Sequence, residues 1–206
     1  MNGRKKYKGE LYSFFRSERN IGSGGNGAVY DVEFEGDEGF EFPIVAKFFE
    51  YGGVDKEKRY NRFKNEIIAL NALKGIEGIM EVIDKQCPHV VPQTKDEAWY
   101  LMPKAKPYKL NRKRNIYSKI LEMLQLARII QSIHERDKAH RDIKPENIIR
   151  ADDGRIFFLD FGIARILGAD SLTRTGAMMG PHTPGYAAPE QFNNLKREID
   201  SRADIF

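Results

Sequence analysis

A carboxylate, an ammonium group and an amide lie close together in the segment 140–147, HRDIKPEN. Asp142 can accept a proton from a hydroxyl group, Lys144 can neutralise charge on a phosphoryl group, and the Asn147 amide oxygen can bind a hard cation. Asp160, in LDFG, adds a second oxygen ligand, and an oxygen-only set favours magnesium over zinc. Taken singly, each of these residues could equally well be a capping or turn residue with no part in catalysis.

A glycine-rich segment, IGSGGNGAVY, precedes these residues in the chain. Gly22, Gly24 and Gly27 form G-x-G-x-x-G, which lets backbone amides approach an anion, although a plain hairpin turn has the same composition. A dinucleotide-binding turn opens a helix, whereas strand-like AVYDVEF follows here. We therefore place the glycines in a β-hairpin, with Val29 positioned to close over an aromatic base.

Lys47 lies inside the apolar run IVAKFF. A lysine between apolar strand residues is costly unless its ammonium group finds an anion. A phosphate or Glu66, on the following helix, can supply that anion. A snorkelling lysine and a solvated glutamate are the alternative.

Hydrophobic periodicity predicts the elements that must position these groups. The segment 19–49 reads as an antiparallel meander, and Phe63, Ile67, Leu70 and Leu73 mark a helix. Further elements are predicted as follows: a strand at 98–102, a long core helix at 116–135, two hairpin strands at 147–150 and 155–159, and a loop from 163 to 186. The change from strands to helices near residue 104 suggests a small β-rich lobe followed by a helical one.

Composition favours an ordinary globular protein, since 41% of the 206 residues are hydrophobic and 31% are charged. We expect a cytoplasmic location, because the chain has no apolar run of membrane-spanning length, no N-terminal signal pattern and a single cysteine, Cys87. The net charge of +4 comes partly from residues 4–8 and 104–114. Such runs are usually solvated faces, and no zinc-finger spacing supports nucleic-acid binding.

Five motifs in one order resemble the eukaryotic-like serine/threonine protein kinase family: IGSGGNGAV, IVAK, HRDIKPEN, DFG and AAPE. The resemblance covers roughly 18–206 and implies an α+β, bilobal fold. It implies a small antiparallel β-sheet N-lobe with one main helix at about 18–102, a hinge at about 103–106, and a partial, mostly helical C-lobe at about 107–206. Residues 1–17 are then a basic N-terminal extension.

The resemblance implies ATP and Mg²⁺, with Mn²⁺ as an alternative ion, and a protein substrate. Lys47 would contact phosphates and pair with Glu66, Asp142 would be the catalytic base assisted by Lys144, and Asn147 and Asp160 would hold the metal. The residues implied at the nucleotide are Ile21, Gly22, Ser23, Gly24, Gly25, Asn26, Gly27, Val29, Ala46, Lys47, Met102, Ala105 and Ile149.

Specificity and regulation also follow from the resemblance. The lysine of HRDIKPEN is similar to the serine/threonine class, and Thr183 resembles the threonine that contacts Asp142 and favours hydroxyl substrates. Arg141 is similar to the arginine on which a phosphorylated activation loop docks. Ser171, Thr173 and Thr175 are therefore expected phosphosites, and autophosphorylation through self-association is an expected route.

Two departures from the family pattern stand out. The sequence Pro103-Lys104-Ala105-Lys106 replaces the acidic residues that often follow Met102, so we expect a preference for neutral or acidic peptides. SRADIF resembles the start of a buried helix whose Asp204 would brace HRD, yet the sequence stops at Phe206. We expect an exposed hydrophobic face there. The alternative to an active kinase is a truncated nucleotide-binding regulatory fragment with little or no phosphotransfer.

Overall fold

The computed structural model describes residues 4–24, 27–109, 113–151, 153–161, 165–166, 183–193, 195 and 198–206. The chain divides into two compact units. The first unit comprises Met1–Asn71 and Met80–Lys104, and the second comprises Ala72–Ile79 and Ala105–Phe206. The division after Lys104 falls within the segment that the sequence analysis assigns to a hinge.

The first unit is built on an antiparallel sheet. Its strands are β1 (Lys6–Lys8), β2 (Ser13–Arg16), β3 (Gly22–Gly24), β4 (Gly27–Phe34), β5 (Ile44–Phe49), β6 (Asp84–Gln86) and β7 (Trp99–Pro103). The order across the sheet is β1-β2-β4-β5-β7-β6, and β3 pairs with β4. The predicted meander and the predicted strand at 98–102 are both present. One helix, α1 (Lys56–Ala72), accompanies this sheet.

Strands β1 and β2 lie within the segment 1–17, which the sequence analysis treats as an extension. They form a hairpin, and β2 pairs with β4. Tyr7 of β1 is buried, and its hydroxyl donates to Asp96 at 3.1 Å. The buried Asp84 carboxylate accepts backbone hydrogen bonds from Leu11 at 3.0 Å and Tyr12 at 2.9 Å. These contacts integrate the N-terminal hairpin into the first unit.

The two faces of β5 bury different surfaces because successive strand side chains point in opposite directions. On one face Ile44, Ala46 and Phe48 belong to a core cluster with Tyr7, Phe14, Trp99 and Leu101. On the other face the Phe49 ring lies 5.1 Å from that of Tyr60 and 5.8 Å from that of Phe63, both on α1. Alternation therefore directs Lys47 toward α1.

The second unit contains the long helix α2 (Ile116–His134), which begins where the Asn115 side chain accepts a hydrogen bond from the Ser118 amide. Its other elements are β8 (Lys106–Pro107), β9 (Lys138–Ala139), β10 (Ile148–Arg150), β11 (Ile156–Phe158), β12 (Arg165–Ile166) and α3 (Pro189–Phe192), with 3₁₀ turns at Pro145–Asn147 and Ser201–Asp204. The strands form two small sheets, β11-β10-β8 and β12-β9. The predicted helix and hairpin are confirmed.

The prediction that 116–135 packs as a core helix is wrong for the first part of α2. Ile129 and Ile133 are buried, but the large apolar side chains nearer its start are exposed: Ile116, Tyr117, Ile120, Leu121, Met123 and Leu124. Part of α2 lines a groove of about 860 Å³ together with Ile205 and Phe206. The second unit therefore exposes apolar side chains along the first part of α2 and at Ile205 and Phe206. Among the described residues, no helix is long and apolar enough to cross a bilayer.

Candidate active site

The second unit brings three of the predicted site residues into direct contact with a fourth, Asp142. The Thr183 hydroxyl donates to Asp142 Oδ1 at 2.6 Å, and Lys144 Nζ lies 2.8 Å from Asp142 Oδ2. Lys144 Nζ also donates to Thr183 Oγ1 at 2.7 Å. Asn147 Nδ2 donates to both the backbone oxygen and Oδ2 of Asp142 at 2.8 Å. The two carboxylate oxygens are thus held in one orientation by three neighbouring side chains.

Two opposing effects act on the pKa of Asp142. Burial raises the pKa, whereas the hydrogen bonds from Lys144 and Thr183 and the charge of Lys144 lower it. The stabilising contacts prevail, so the pKa lies below its ordinary value. Asp142 is therefore ionised at neutral pH and can accept a hydrogen bond from a hydroxyl group.

Asp204 holds the backbone that leads into Asp142. Its carboxylate accepts hydrogen bonds from the amides of His140 at 2.8 Å and Arg141 at 2.6 Å, and from His134 Nε2 at 2.8 Å. Arg141 adopts a φ of 69°, a conformation that is uncommon for a residue with a side chain. Three donors on one buried carboxylate offset the cost of that backbone geometry.

The imidazole of His140 is buried beneath the same loop. Its Nε2 lies 2.8 Å from the Leu159 carbonyl oxygen, which only accepts hydrogen bonds, so the proton resides on Nε2. Its Nδ1 then accepts from the Asp142 amide at 3.3 Å. Burial lowers the pKa of His140, and its ring packs 4.5 Å from that of Phe161. The neutral ring links Asp142 to the segment that carries Asp160.

Asn147 and Asp160 lie next to the same end of the β10–β11 hairpin. The Leu159 amide donates to the Asn147 carbonyl oxygen at 2.8 Å, one residue before Asp160. Both contacts of Asn147 Nδ2 are to acceptors, which fixes the amide orientation and leaves Oδ1 as an oxygen ligand. Asp160 has a φ of 61°. An amide oxygen and a carboxylate suit a hard cation such as Mg²⁺. Among the described residues, no group of three or more His, Cys, Asp or Glu forms another metal-binding cluster.

In the first unit, the Lys47 ammonium group meets the Glu66 carboxylate. Lys47 Nζ lies 2.7 Å from Oε1 and 2.8 Å from Oε2, and the Glu66 side chain is only 1% exposed. The Tyr100 hydroxyl donates to Glu66 Oε1 at 3.1 Å. The structure therefore selects the paired lysine and glutamate over the solvated alternative.

Strand register shows which side chains lie on the same face of the sheet as Lys47. Lys47 is opposite Val29 on β4 and opposite Tyr100 on β7, and cross-strand partners point to the same face. Val45 is opposite Met102 and shares this face. Ala46 does not, because it is fully buried in the core cluster on the other face. The assignment of Ala46 to the nucleotide is therefore wrong, and Val45 lies on the Lys47 face of β5, as Phe49 does.

The glycine-rich segment forms the β3–β4 hairpin. Gly22 is opposite Val29, Ser23 is opposite Ala28 and Gly24 is opposite Gly27; Gly25 and Asn26 lie outside the described residues. The exposed Ile21 donates its amide to the Val29 carbonyl oxygen at 2.8 Å. A Cβ at Gly27 would overlap the Phe48 carbonyl oxygen, so this position requires glycine.

The remaining predicted positions lie in the second unit or outside the described residues. Ala105 is partly exposed, and Ile149 of β10 is buried opposite Pro107 and Phe157. The expected phosphosites Ser171, Thr173 and Thr175 lie outside the described residues.

Sequence reasoning missed two polar side chains that support the site. Tyr100 contacts Glu66, and Gln191, 1% exposed, donates from Nε2 to the Arg141 carbonyl oxygen at 2.8 Å. Tyr100 was predictable in principle, because its hydroxyl group, within the apolar run AWYLM, needs a buried hydrogen-bond partner. We find no sequence signal that identifies Gln191.

The fold and this arrangement define a protein kinase. The sequence matches the protein kinase domain family over residues 15–206, so the chain belongs to that family.

Named relatives are bacterial serine/threonine-protein kinases. The chain is 31% identical to Pkn1 and 30% identical to pkn2, both from Myxococcus xanthus, over 93% of its own length and 27% and 23% of theirs. It is 39% identical to PknL of Mycobacterium tuberculosis over 37% of the chain and 18% of that protein. The chain thus spans about a quarter of the length of the two Myxococcus relatives.

Proposed function

We propose that this protein transfers the γ-phosphate of ATP to serine or threonine hydroxyl groups of a protein substrate. One observation carries the proposal: Asp142, ionised and held by Thr183 and Lys144, presents a carboxylate beside a cation. Family membership and the names of the relatives support the same reaction class.

In the second unit, the Asp142 carboxylate accepts a hydrogen bond from the substrate hydroxyl and takes its proton as the oxygen attacks the γ-phosphorus. The bond between the γ-phosphorus and the β–γ bridging oxygen breaks, and ADP leaves. Lys144 offsets the negative charge on the transferring phosphoryl group. Thr183 orients the carboxylate and, as a hydroxyl-bearing neighbour, favours serine and threonine acceptors.

In the first unit, Lys47 contacts the α- and β-phosphates, and Glu66 and Tyr100 hold its ammonium group in place. The glycine hairpin, including Gly22 and Gly27, lets backbone amides approach the phosphates. Apolar contact with adenine comes, in the first unit, from Ile21, Val29, Val45 and Met102.

Asn147 Oδ1 and the Asp160 carboxylate would hold Mg²⁺, or Mn²⁺ in its place, and the ion would neutralise charge on the phosphates. We further propose that Ser171, Thr173 and Thr175 are autophosphorylated by a second copy of the chain and that Arg141 binds the new phosphate. We keep the cytoplasm as the proposed compartment, because the lone Cys87 cannot form an intrachain disulfide.

The test is transfer of radiolabelled phosphate from ATP and Mg²⁺ to a generic serine/threonine substrate and to the chain itself. We expect transfer by the unmodified chain, and its loss in Asp142→Asn and Lys47→Met. Nucleotide binding without transfer by the unmodified chain would instead support the regulatory-fragment alternative. Transfer that survives Asp142→Asn would refute the assigned base.

A further inference from the structure

Gln191 is a buried glutamine of the second unit, at the third residue of α3. Its side chain is 1% exposed, and a polar group is costly to bury unless its hydrogen bonds are satisfied. Its Oε1 accepts a hydrogen bond from the Ala188 amide at 3.3 Å, and its Nε2 donates to the Arg141 carbonyl oxygen at 2.8 Å. The side chain therefore bridges its own segment to a residue 50 positions earlier in the sequence.

The two hydrogen bonds of Gln191 have different reach. A glutamine at the third position of a helix commonly accepts from the amide just before the helix, so the contact with Ala188 is a local cap of α3. The contact with Arg141 adds nothing to that cap, because Arg141 lies outside α3 and its neighbouring turn. This second contact joins α3 to the loop that carries Asp142.

The Arg141 carbonyl belongs to the peptide group that connects Arg141 to Asp142. The N–H of the same peptide group donates to His140 Nδ1 at 3.3 Å. Gln191 and His140 therefore hold this planar group at its oxygen and at its nitrogen. Because the group leads directly into the Asp142 Cα, its orientation restricts the direction in which the Asp142 side chain leaves the backbone.

The conformation of Arg141 makes this peptide group dependent on external support. Arg141 has a φ of 69°, which few residues with a side chain adopt without help from their surroundings. Its amide donates to the Asp204 carboxylate at 2.6 Å, and its carbonyl accepts from Gln191. Asp204 thus fixes one side of the strained residue and Gln191 fixes the other. Without Gln191 the carbonyl side has no side chain described here to hold it.

The segment 183–192 contacts Asp142 and its loop at two points. Near its start, the Thr183 hydroxyl donates to Asp142 Oδ1 at 2.6 Å. Near its end, Gln191 donates to the carbonyl of the residue before Asp142. Ala188, between the two points, is buried in a small core cluster. The segment therefore contacts both the carboxylate of the proposed base and the backbone that carries it.

We propose that Gln191 is a positioning residue for phosphotransfer: its amide group orients the peptide group before Asp142 and makes the placement of the base depend on the docking of segment 183–192. This inference rests on the proposed kinase function. The Arg141 carbonyl only accepts a hydrogen bond and the Ala188 amide only donates one, so the bridge needs one donor and one acceptor on a neutral side chain. A carboxylate lacks the donor, and a thioether lacks it too.

The experiment compares Gln191→Glu and Gln191→Met in the full chain. Gln191→Glu keeps the length of the side chain and the acceptor for the Ala188 amide, but it sets a carboxylate oxygen against the Arg141 carbonyl. Gln191→Met removes both hydrogen bonds. Steady-state transfer from ATP and Mg²⁺ to a generic serine/threonine substrate gives kcat and KM, and urea unfolding under the assay conditions gives the folded fraction.

We expect kcat per folded molecule to fall about tenfold in both variants, the size of effect that one lost hydrogen bond has on a barrier. KM for ATP should stay the same, because the groups assigned to the α- and β-phosphates, Lys47 and the glycine hairpin, belong to the first unit. A purely structural role would change the folded fraction and leave kcat per folded molecule unaltered. A role as a helix cap alone would spare Gln191→Glu.

The matched controls are Gln131→Glu and Gln131→Met, which make the same changes at an exposed glutamine of α2 whose Nε2 donates to the Glu135 carboxylate at 2.9 Å. Both should keep the kcat of the unmodified chain. Unaltered kcat per folded molecule in Gln191→Glu, or an equal fall in the Gln131 variants, would overturn the proposal.

Amide hydrogen exchange separates this inference from the proposed function. If the unmodified chain transfers no phosphate, the proposed kinase function fails for this chain. The Asp142 amide should still exchange faster in Gln191→Glu than in Gln131→Glu, because its peptide group has lost the contact at its oxygen. Equal protection of that amide in the two variants would refute the positioning contact itself.

Discussion

The Asp204 carboxylate accepts a hydrogen bond from the Arg141 backbone amide at 2.6 Å, although 63 residues separate them in the sequence. Oδ2 of the same carboxylate binds His134 and the His140 amide. The residue immediately before the proposed base is thereby fixed by a group remote in sequence.

Asp204→Asn should lower the free energy of unfolding by about 2 to 3 kcal/mol, because an amide lacks the charge that three hydrogen-bond donors now share. Phosphotransfer should fall with it, since the loop before Asp142 loses its anchor. Urea unfolding and transfer assays measure both effects. Asp200→Asn is the control, because its carboxylate is 43% exposed and asparagine caps a helical turn equally well. Equal effects of the two changes would contradict the anchoring role.

Tyr100→Phe should weaken nucleotide use without disrupting the fold. The change removes only the hydroxyl that donates to Glu66, a contact worth about 1 kcal/mol, so kcat/KM for ATP should fall about fivefold. Steady-state kinetics with varied ATP measures this. Tyr117→Phe, on the exposed start of α2, serves as the control and should leave kcat/KM unchanged. No change in Tyr100→Phe would show that Lys47 needs no support beyond Glu66.

His140 makes a specific contribution to the pH dependence of stability. Because burial lowers its pKa in the folded state, the unfolded chain binds more protons than the folded one once the pH falls below about 6.5, the ordinary histidine pKa. Stability is therefore lost on acidification from neutral pH, with a slope of at most about 1.4 kcal/mol per pH unit from this group.

The measurement is the free energy of unfolding between pH 7.5 and 5. His140→Gln should be less stable at neutral pH but should show a shallower decline on acidification. The exposed His89 provides the control, and His89→Gln should keep the slope of the unmodified chain. An unchanged slope in His140→Gln would mean that His140 is not the group responsible.

Asp84→Asn should detach the N-terminal hairpin from the rest of the first unit. The Asp84 carboxylate accepts backbone hydrogen bonds from Glu10, Leu11 and Tyr12, and loss of its charge should cost about 2 kcal/mol. Amide hydrogen exchange should accelerate at residues 10–12. Asp37→Asn is the control, because this exposed carboxylate caps only the nearby Gly39 amide. Retained protection at residues 10–12 would show that the β1–β2 pairing alone holds the hairpin.

Several features were predictable because they depend on local patterns. Helical periodicity identified α2, and the turn composition around Gly154 identified the β10–β11 hairpin. The motif order identified the groups around Asp142 and the pairing of Lys47 with Glu66. The face of the sheet to which each β5 side chain points was harder to predict, because a shift of one residue moves every side chain of a strand to the opposite face. That is why Ala46 was assigned to the wrong face and Val45 was overlooked.

The sequence by itself determined the chemical groups of this protein, their order and the class of reaction they suit, because residue type and short-range spacing carry that information. The family resemblance also predicted that Asp204 braces the HRD motif, and its contact with Arg141 confirms this. Only the tertiary structure decided which further distant groups give support: Gln191 on Arg141, Tyr100 on Glu66 and Asp84 on the N-terminal hairpin. These contacts join residues far apart in sequence. Their partners are backbone groups or single side chains with no periodic pattern, so they arise only when the packed chain brings the elements together.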